Sequence, residues 1–510
     1  MSKRPILSLP PSTALPDDAD ENREIQLATY DVLLPCRRFN ISYKVAVLGR
    51  VSLTAEFLLR LLKSADGLDE GSAATFFGFD RRDMSFVLSE VESNGYVERK
   101  DGKLWLTIAG QNLFRDGSDK PEIFEIERVR ENVALDLLAL APERSQWMED
   151  YTVGLPELKI ADSGQLSDAS ARIPAAFRRF YMEIMIAKGK NGGYGNKRSI
   201  YSIDHVEAGD RFLVPVTIAV TSSSTTPWMG EADLSEWRSD QELQDRNPVG
   251  DAASAFVQGL QVNRRGTDSD AYRFLTDIAP EFLKEFTRTD GLAVERYYKE
   301  VLARRGQLRS NRPTIPLLGA LTNKDNVERL IDAMSYASRR PARPSRFVWV
   351  KPQVSFWGAT RILPETIKRL KSMILQDKDD QDAKSVCLVT GKPENYLTRM
   401  FDEVHSTDQA RFPAALEILL VPGFVVVAIV HAPIKVVSGH AVPLGLLSFD
   451  PQVVTRVQDV LLEELHAYNF ADPRRYEALN LALSTSVSAQ PIAGNPADEI
   501  ASLPLSEGGS

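Results

Sequence analysis

Cysteine is almost missing from this chain: Cys36 and Cys387 are the whole supply in 510 residues. Two thiols far apart in sequence cannot build a zinc cluster or a disulfide framework, so a reducing compartment is expected. Histidine is scarce as well. The five, His205, His405, His431, His440 and His466, show no H-E-x-x-H spacing that would present two imidazoles to a metal. Long apolar runs are also wanting. No stretch reaches the roughly 18 uncharged apolar residues of a membrane helix, and LEILLVPGFVVVAIVHAPI is broken by Pro-Gly into two β segments. The first residues, MSKRPILSLPPSTALPDDADENR, lack the sustained apolar core of a secretion signal. Together these absences point to a cytoplasmic protein without membrane contact.

Catalytic signatures are equally thin. There is no G-x-S-x-G elbow. Neither TGK at 390–392 nor KGKNGGYGNKR at 188–198 completes the G-K-[ST] ending of a phosphate-binding loop, which argues against ATP hydrolysis. The E-x-K within PELK, at 156–159, is a triplet that chance produces several times in a chain of this length. No catalytic, cofactor-binding or metal-binding residue is therefore assigned, and no cofactor is expected. A non-enzymatic protein is the preferred reading, with enzymatic activity left open.

What is present is length and a surplus of acid. A chain of 510 residues exceeds what one hydrophobic core supports, so several domains are expected. Asp and Glu number 70 against 61 Lys and Arg, a net charge of −9, so the molecule as a whole repels polyanions. Contact with nucleic acid has to run through a local basic patch, because charges beyond about 8–10 Å are screened.

Residues 1–22 and 483–510 are polar and rich in small residues, Pro or Gly, and are expected to be disordered tails. Residues 23–118 open with the β-like runs ATYDVLL and SYKVAVLG and turn helical from 53. In LTAEFLLRLLKSAD, Thr54 is the expected N-cap, with Phe57, Leu58, Leu61 and Leu62 as the apolar stripe. A short helix EGSAATFF closes at Gly78. A third starts at Asp80, buries Met84, Val87, Leu88 and Val91, and ends at Gly95.

Residues 119–314 form a mixed region. Helices are expected at EIFEIERVRENVALDLLAL, AAFRRFYMEIMIAK, DAASAFVQGLQV, AYRFLTDIAPEFLKEFTR and AVERYYKEVLARR, and a strand at DRFLVPVTIAV. Residues 315–482 alternate between strands (RFVWVKPQV, SVCLVTG, ALEILLV, FVVVAIV, PLGLLSF) and helices (PETIKRLKSMIL, PENYLTRMFDEV), with a final helix capped by Asp450 and Pro451. Such alternation implies a mixed α/β sheet domain. The expected fold class is therefore a multidomain α+β and α/β protein.

The stretch NGYVERKDGKLWLTIAG, at 94–110, is the most specific signal. Asp101-Gly102 is a favoured two-residue hairpin turn, and Tyr96, Val97, Leu104 and Leu106 alternate so as to pack the hairpin on the preceding helices. Three helices followed by such a hairpin resemble the winged-helix DNA-binding domain, over residues 50–117. That resemblance implies that the helix from Asp80 to Asn94 is a recognition helix, presenting Arg81, Arg82 and Ser85 to base edges. It makes Arg99, Lys100 and Lys103 the phosphate grips of the wing. Against this, residues 51–117 hold eight Lys/Arg and eleven Asp/Glu, and many winged helices bind protein instead.

Two further basic stretches stand out. In KGKNGGYGNKR, Lys188, Lys190, Lys197 and Arg198 sit among glycines beside Tyr194, a composition that can follow a phosphate backbone or simply be a solvated loop. SRRPARPSRFVWVK groups Arg339, Arg340, Arg343, Arg346 and Lys351 around Phe347 and Trp349. The C-terminal region faintly resembles phospholipase D-like phosphodiesterases through VHAPIKVVSGHAVPLGLLSFD. There Lys435 stands two places later than that family's H-x-K pattern after His431, and the following Asp and Gly-Ser are missing. The resemblance implies a fold that has lost its chemistry.

The expected function is thus a non-enzymatic DNA-binding subunit or regulator with protein partners, of the size and build found in bacterial DNA-processing or phage-defence assemblies. The alternatives are a phosphodiesterase acting through His431 and a protein–protein adaptor.

Overall fold

The computed structural model describes residues 23–48, 51–114, 118–121, 124–145, 148–159, 169–189, 198–289, 291–303, 312–337, 344–374 and 383–484. The N-terminal tail, residues 485–510, and Arg339, Arg340 and Arg343 lie outside them. The protein is a mixed α/β multidomain chain that divides into two compact units. The larger comprises residues 1–35, 145–161 and 213–510, and the smaller 36–144 and 162–212.

The two β-like runs near the N-terminus are one continuous strand, β1 (Glu24–Leu48). The helices α1 (Leu53–Ser64), α2 (Glu70–Phe77) and α3 (Arg81–Ser93) follow, with a two-residue strand β2 (Leu68–Asp69) before α2. The hairpin β3 (Val97–Lys100) and β4 (Lys103–Leu106) and a single turn of helix, α4 (Ile108–Gln111), complete this segment. The three strands form one antiparallel sheet in the order β2-β4-β3.

Two expectations are corrected in this unit. The cap of α1 is Ser52, whose hydroxyl accepts from the Ala55 amide at 3.1 Å, and not Thr54. Its buried stripe is Ala55, Leu58, Leu59 and Leu62, a strict i, i+3, i+4, i+7 set, which leaves Phe57 44% exposed. The second correction is EIFEIERVRENVALDLLAL, which forms a strand, β5 (Phe124–Asp136). It pairs antiparallel with β1 from Cys36↔Asp136 to Leu48↔Phe124. Glu131, Val133 and Leu135 turn to one buried side at period two, so a complete ladder outweighs the helix propensity of its Glu and Arg residues. The strand ends on Asp136, whose buried carboxylate accepts the amides of Leu138 at 2.9 Å, Ala139 at 2.5 Å and Ala141 at 2.8 Å. That turn is closed by Leu140 in a left-handed conformation, φ 58°. The helices Ala169–Arg179 and Tyr181–Ala187 then set Phe177 and Tyr181 edge-on against Tyr43 of β1, at 4.9 and 5.9 Å.

β6 (Arg198–Ser223) carries the chain into the larger unit, where its end pairs antiparallel with β7 (Glu231–Asp233). Helix Asn247–Gln258, strand β8 (Val262–Asn263) and helix Asp268–Ile278 come next. A hairpin of β9 (Thr287–Arg288) and β10 (Gly291–Leu292) leads to helix Val294–Ala303. The core of the unit is a seven-stranded mixed sheet, built from β11 (Thr314–Leu318), β12 (Arg346–Val350), β13 (Lys384–Thr390), β14 (Glu403–Thr407), β15 (Leu416–Val421), β16 (Val425–Ala432) and β18 (Val442–Ser448). Strand β17 (Ser438–Gly439) pairs outside it with β8. The order is β11-β18-β16-β15-β12-β13-β14, with β12, β13 and β14 parallel. PENYLTRMFDEV is helical only at Leu397–Met400 and then enters β14, a correction to the longer helix expected.

Every residue of β15, β16 and β18 is buried, which is why these runs read as unbroken apolar sequence. Gly445 is obligatory among them, since a Cβ there would stand 2.0 Å from the Ala428 carbonyl oxygen. Polar side chains in these strands are paired: Glu417 accepts from Trp349 Nε1 at 2.9 Å and pairs with His431 Nε2 at 2.6 Å. The last helices, Pro451–Glu464 and Pro473–Ser484, pack on each other, and the second includes the first two residues of the tail expected from 483. Both cysteines are buried thiols, and burial pushes their ionisation far above the usual range.

Candidate nucleic-acid interface

The core under α1, α2, α3 and the hairpin is one apolar cluster, from Leu58 and Leu62 through Met84, Val87, Leu88 and Val91 to Val97, Leu104 and Leu106. It fixes which way α3 faces. The helix starts at Asp80, whose carboxylate accepts the amides of Arg82 at 2.7 Å and Asp83 at 2.8 Å. It stops where Gly95 takes φ 70° and the Tyr96 amide returns to the Val91 carbonyl at 3.0 Å. With 84, 87, 88 and 91 turned inward, Arg82, Ser85, Phe86 and Ser89 form the outward stripe, and Arg81 is exposed beside it.

The angle of α3 to α1 is held by Glu90, which accepts the Ser52 amide at 2.8 Å and the Ser52 hydroxyl at 2.6 Å. Replacing Glu90 with Ala strands both donors at the start of α1. It is expected to lower the stability of the smaller unit by about 1–3 kcal/mol in denaturant unfolding. A variant as stable as the parent would remove Glu90 from this role.

The hairpin turn has Asp101 at φ 53° and Gly102 at φ 74°, the two left-handed residues of a tight turn that suits the strand twist. Its side chains separate the sequence candidates. Arg99 is engaged by acids of the same module, with Nε 2.6 Å from Glu92 Oε1 and Nη1 3.3 Å from Glu70 Oε2. Lys100 sits 2.5 Å from Glu98. Lys103, by contrast, is exposed and has no ion pair among the described residues, and the same holds for Arg81 and Arg82. Much of the module's acid is similarly occupied: Glu56 by Arg60, Asp66 by the Leu106 amide, Asp69 and Asp80 as helix caps. Each of these carboxylates is already engaged by a local donor.

The other basic loop contributes little that is free. Lys188 is paired with Glu131 and donates to the Asn132 carbonyl at 2.6 Å. Lys190 and Lys197 lie outside the described residues, as does the side chain of Arg198, whose backbone begins β6. In the larger unit, Arg346 is paired with Glu403, and Lys351 with Glu394 at 3.0 Å. His431 is almost enclosed in its pair with Glu417, while Lys435 lies in the exposed turn after β16, so the two do not converge on one phosphate.

Sequence reasoning missed the apolar side chains this module exposes. Phe86 is 71% exposed on α3, Phe76 69% on α2 and Ile108 79% on α4. A signal existed, since Phe86 is off the apolar stripe of its helix, and a large ring there has to face outward.

Comparisons with known proteins add little. No family model matches the chain, and no curated protein matches it. Among solved structures the chain is similar to that of TrmBL2, an archaeal chromatin protein described as showing a novel mode of DNA binding. The two share 11% sequence identity, the match covers 45% of this chain and 84% of that one, and the TM-score is 0.19. A superposition that slight carries no statement about fold or function.

Proposed function

We propose that the smaller unit carries a winged-helix module and that the protein is a DNA-binding subunit or regulator, with α3 as the element that enters the major groove. The observation behind this reading is the outward face of α3. Two guanidinium groups with no carboxylate partner among the described residues, Arg81 and Arg82, stand at its exposed N-terminal turn, followed one turn on by a hydroxyl and an aromatic ring. Arginine forks pair with guanine edges, Ser bonds to several bases, and an exposed ring packs on thymine methyl groups. Lys103 at the hairpin tip supplies a phosphate contact beside them. Because Arg99 and Lys100 are tied to their own acids, the wing is a weaker clamp than its sequence suggests.

A mobility-shift series with duplex DNA at rising salt tests the reading. Three cation contacts predict a modest slope of log K against log salt, about −2 to −3. Complexes that ignore salt, or no retention of DNA at low salt, would sink it and favour the second reading, a protein-docking module. That second reading is supported by the exposed Phe76, Phe86 and Ile108, because soluble surfaces seldom display so many large apolar groups without use. Roles in defence or DNA processing follow only from size and architecture and are part of this proposal.

A further inference from the structure

The larger unit contains a cleft of about 680 Å³ that none of the readings above uses. Its walls come from four places in the chain. Strand β8 pairs with β17, and the Arg264 amide donates to the Val437 carbonyl at 2.7 Å, which sets Arg264 beside the turn that follows β16. That turn carries Lys435 in a left-handed conformation, φ 69°, uncommon for a residue with a side chain. Arg288 comes from the β9–β10 hairpin. Arg296 and Lys299 lie three residues apart on the exposed face of helix Val294–Ala303, whose other face buries Tyr297, Tyr298 and Val301.

Five cations therefore line one concavity, against the two acids Asp268 and Glu295. None of the five has an ion pair among the described residues; Arg296 lies over the Phe286 ring at 5.6 Å. Oxygen Oδ2 of Asp268 is committed to the Arg265 amide at 2.8 Å. A local surplus of positive charge in a chain of net charge −9 raises the energy of the empty cleft and favours an anion.

Tyr272, which lines the cleft, gives a second, independent sign of a ligand. Tyr272 is only 7% exposed, and its hydroxyl has no hydrogen-bond partner among the described residues. Phenylalanine would fill the same space without stranding a donor, so packing alone does not account for this tyrosine. Burial, together with the nearby Asp268 carboxylate, pushes its ionisation well above the ordinary range, so the hydroxyl keeps its proton and acts as a donor. Leu292, Pro433 and Ile434 add an apolar wall.

We propose that this cleft binds a phosphate-bearing ligand of nucleotide size. Its oxyanions are held by Arg264, Arg288 and Lys435, one of its oxygens takes the Tyr272 hydroxyl, and its apolar part rests on Ile434. A volume of this order suits a ligand of that size. The same oxyanion chemistry is carried by a free nucleotide and by the 5′-phosphorylated end of a strand. The proposal is independent of DNA contact by α3, which belongs to the other unit.

Calorimetric titration of the full chain with inorganic tripolyphosphate tests it. Saturable binding is expected. The Arg264→Glu/Lys435→Glu variant, altered only at exposed positions, should lose at least a hundredfold in affinity at unchanged Tm. Tyr272→Phe should weaken binding roughly tenfold while the ligand-free Tm holds or rises, a split that a purely structural role would not produce. Competition by a nucleoside triphosphate alone identifies a free nucleotide, and competition also by a 5′-phosphorylated trinucleotide, but not by its dephosphorylated form, identifies a strand end; either upholds the site. The absence of saturable binding, equal affinity in the parent and the charge-reversal variant, or full affinity in Tyr272→Phe overturns it.

Discussion

Charge reversal at both leading arginines of α3, Arg81→Glu with Arg82→Glu, is expected to cut affinity for duplex DNA by a hundredfold or more. Each arginine placed against a guanine edge contributes about 1–3 kcal/mol of discrimination, and a carboxylate in its place adds repulsion from the phosphates. The choice of residue also protects the test from a trivial result. Both positions are exposed and lie in the first turn of the helix, where acidic side chains interact favourably with the macrodipole. The variant should therefore unfold no earlier than its parent. Lost binding at an unchanged Tm assigns the effect to the contact, whereas retained binding means that α3 is not the reading element. Lys103→Glu is the graded companion: it should weaken binding to all sequences alike and flatten the salt slope by about one unit.

Removal of the buried carboxylate in the larger unit should have the largest effect on stability. Glu417 is 1% exposed and serves two donors, Trp349 Nε1 and His431 Nε2. Glu417→Ala leaves both buried without an acceptor, next to a hole the sheet cannot close, and is expected to cost about 3–5 kcal/mol. Glu417→Gln keeps an acceptor for one donor but turns an N–H toward the other, and should lie between alanine and the parent. Because the chain has two units, the measurement has to follow each transition, for example by calorimetry. The loss belongs to the unit that contains the seven-stranded sheet. An unshifted transition in Glu417→Ala would show that the network is dispensable and that His431 is held by packing alone.

The contrast between what was legible and what was not follows the range of the interactions. The limits of α2 and α3, the Asp101-Gly102 hairpin and the Asp450-Pro451 helix start all depend on residues within a turn or two of each other, and all are present. The strand β5 was hidden because its Glu and Arg content favours a helix locally, while the ladder that overrules it is supplied by β1, nearly ninety positions earlier. The site shows the same limit. Arg99 looks available in sequence because Glu70 lies on α2, well before the hairpin; only the folded module brings that carboxylate to it. The cationic cleft was invisible for a stronger version of this reason, with cations drawn from Arg264 to Lys435 and no two of them forming a recognisable pattern.

The way the chain alternates between its units bears on how it is made. Everything the smaller unit needs has been synthesised once Phe212 is complete, so that unit can assemble while the ribosome is still producing the rest. The larger unit enjoys no such order. Its seven-stranded sheet cannot begin to form until β11 and the strands after it emerge, late in translation. A stop codon or a protease cut anywhere in the second half should therefore spare the early-assembled part and release the other as an aggregation-prone remnant.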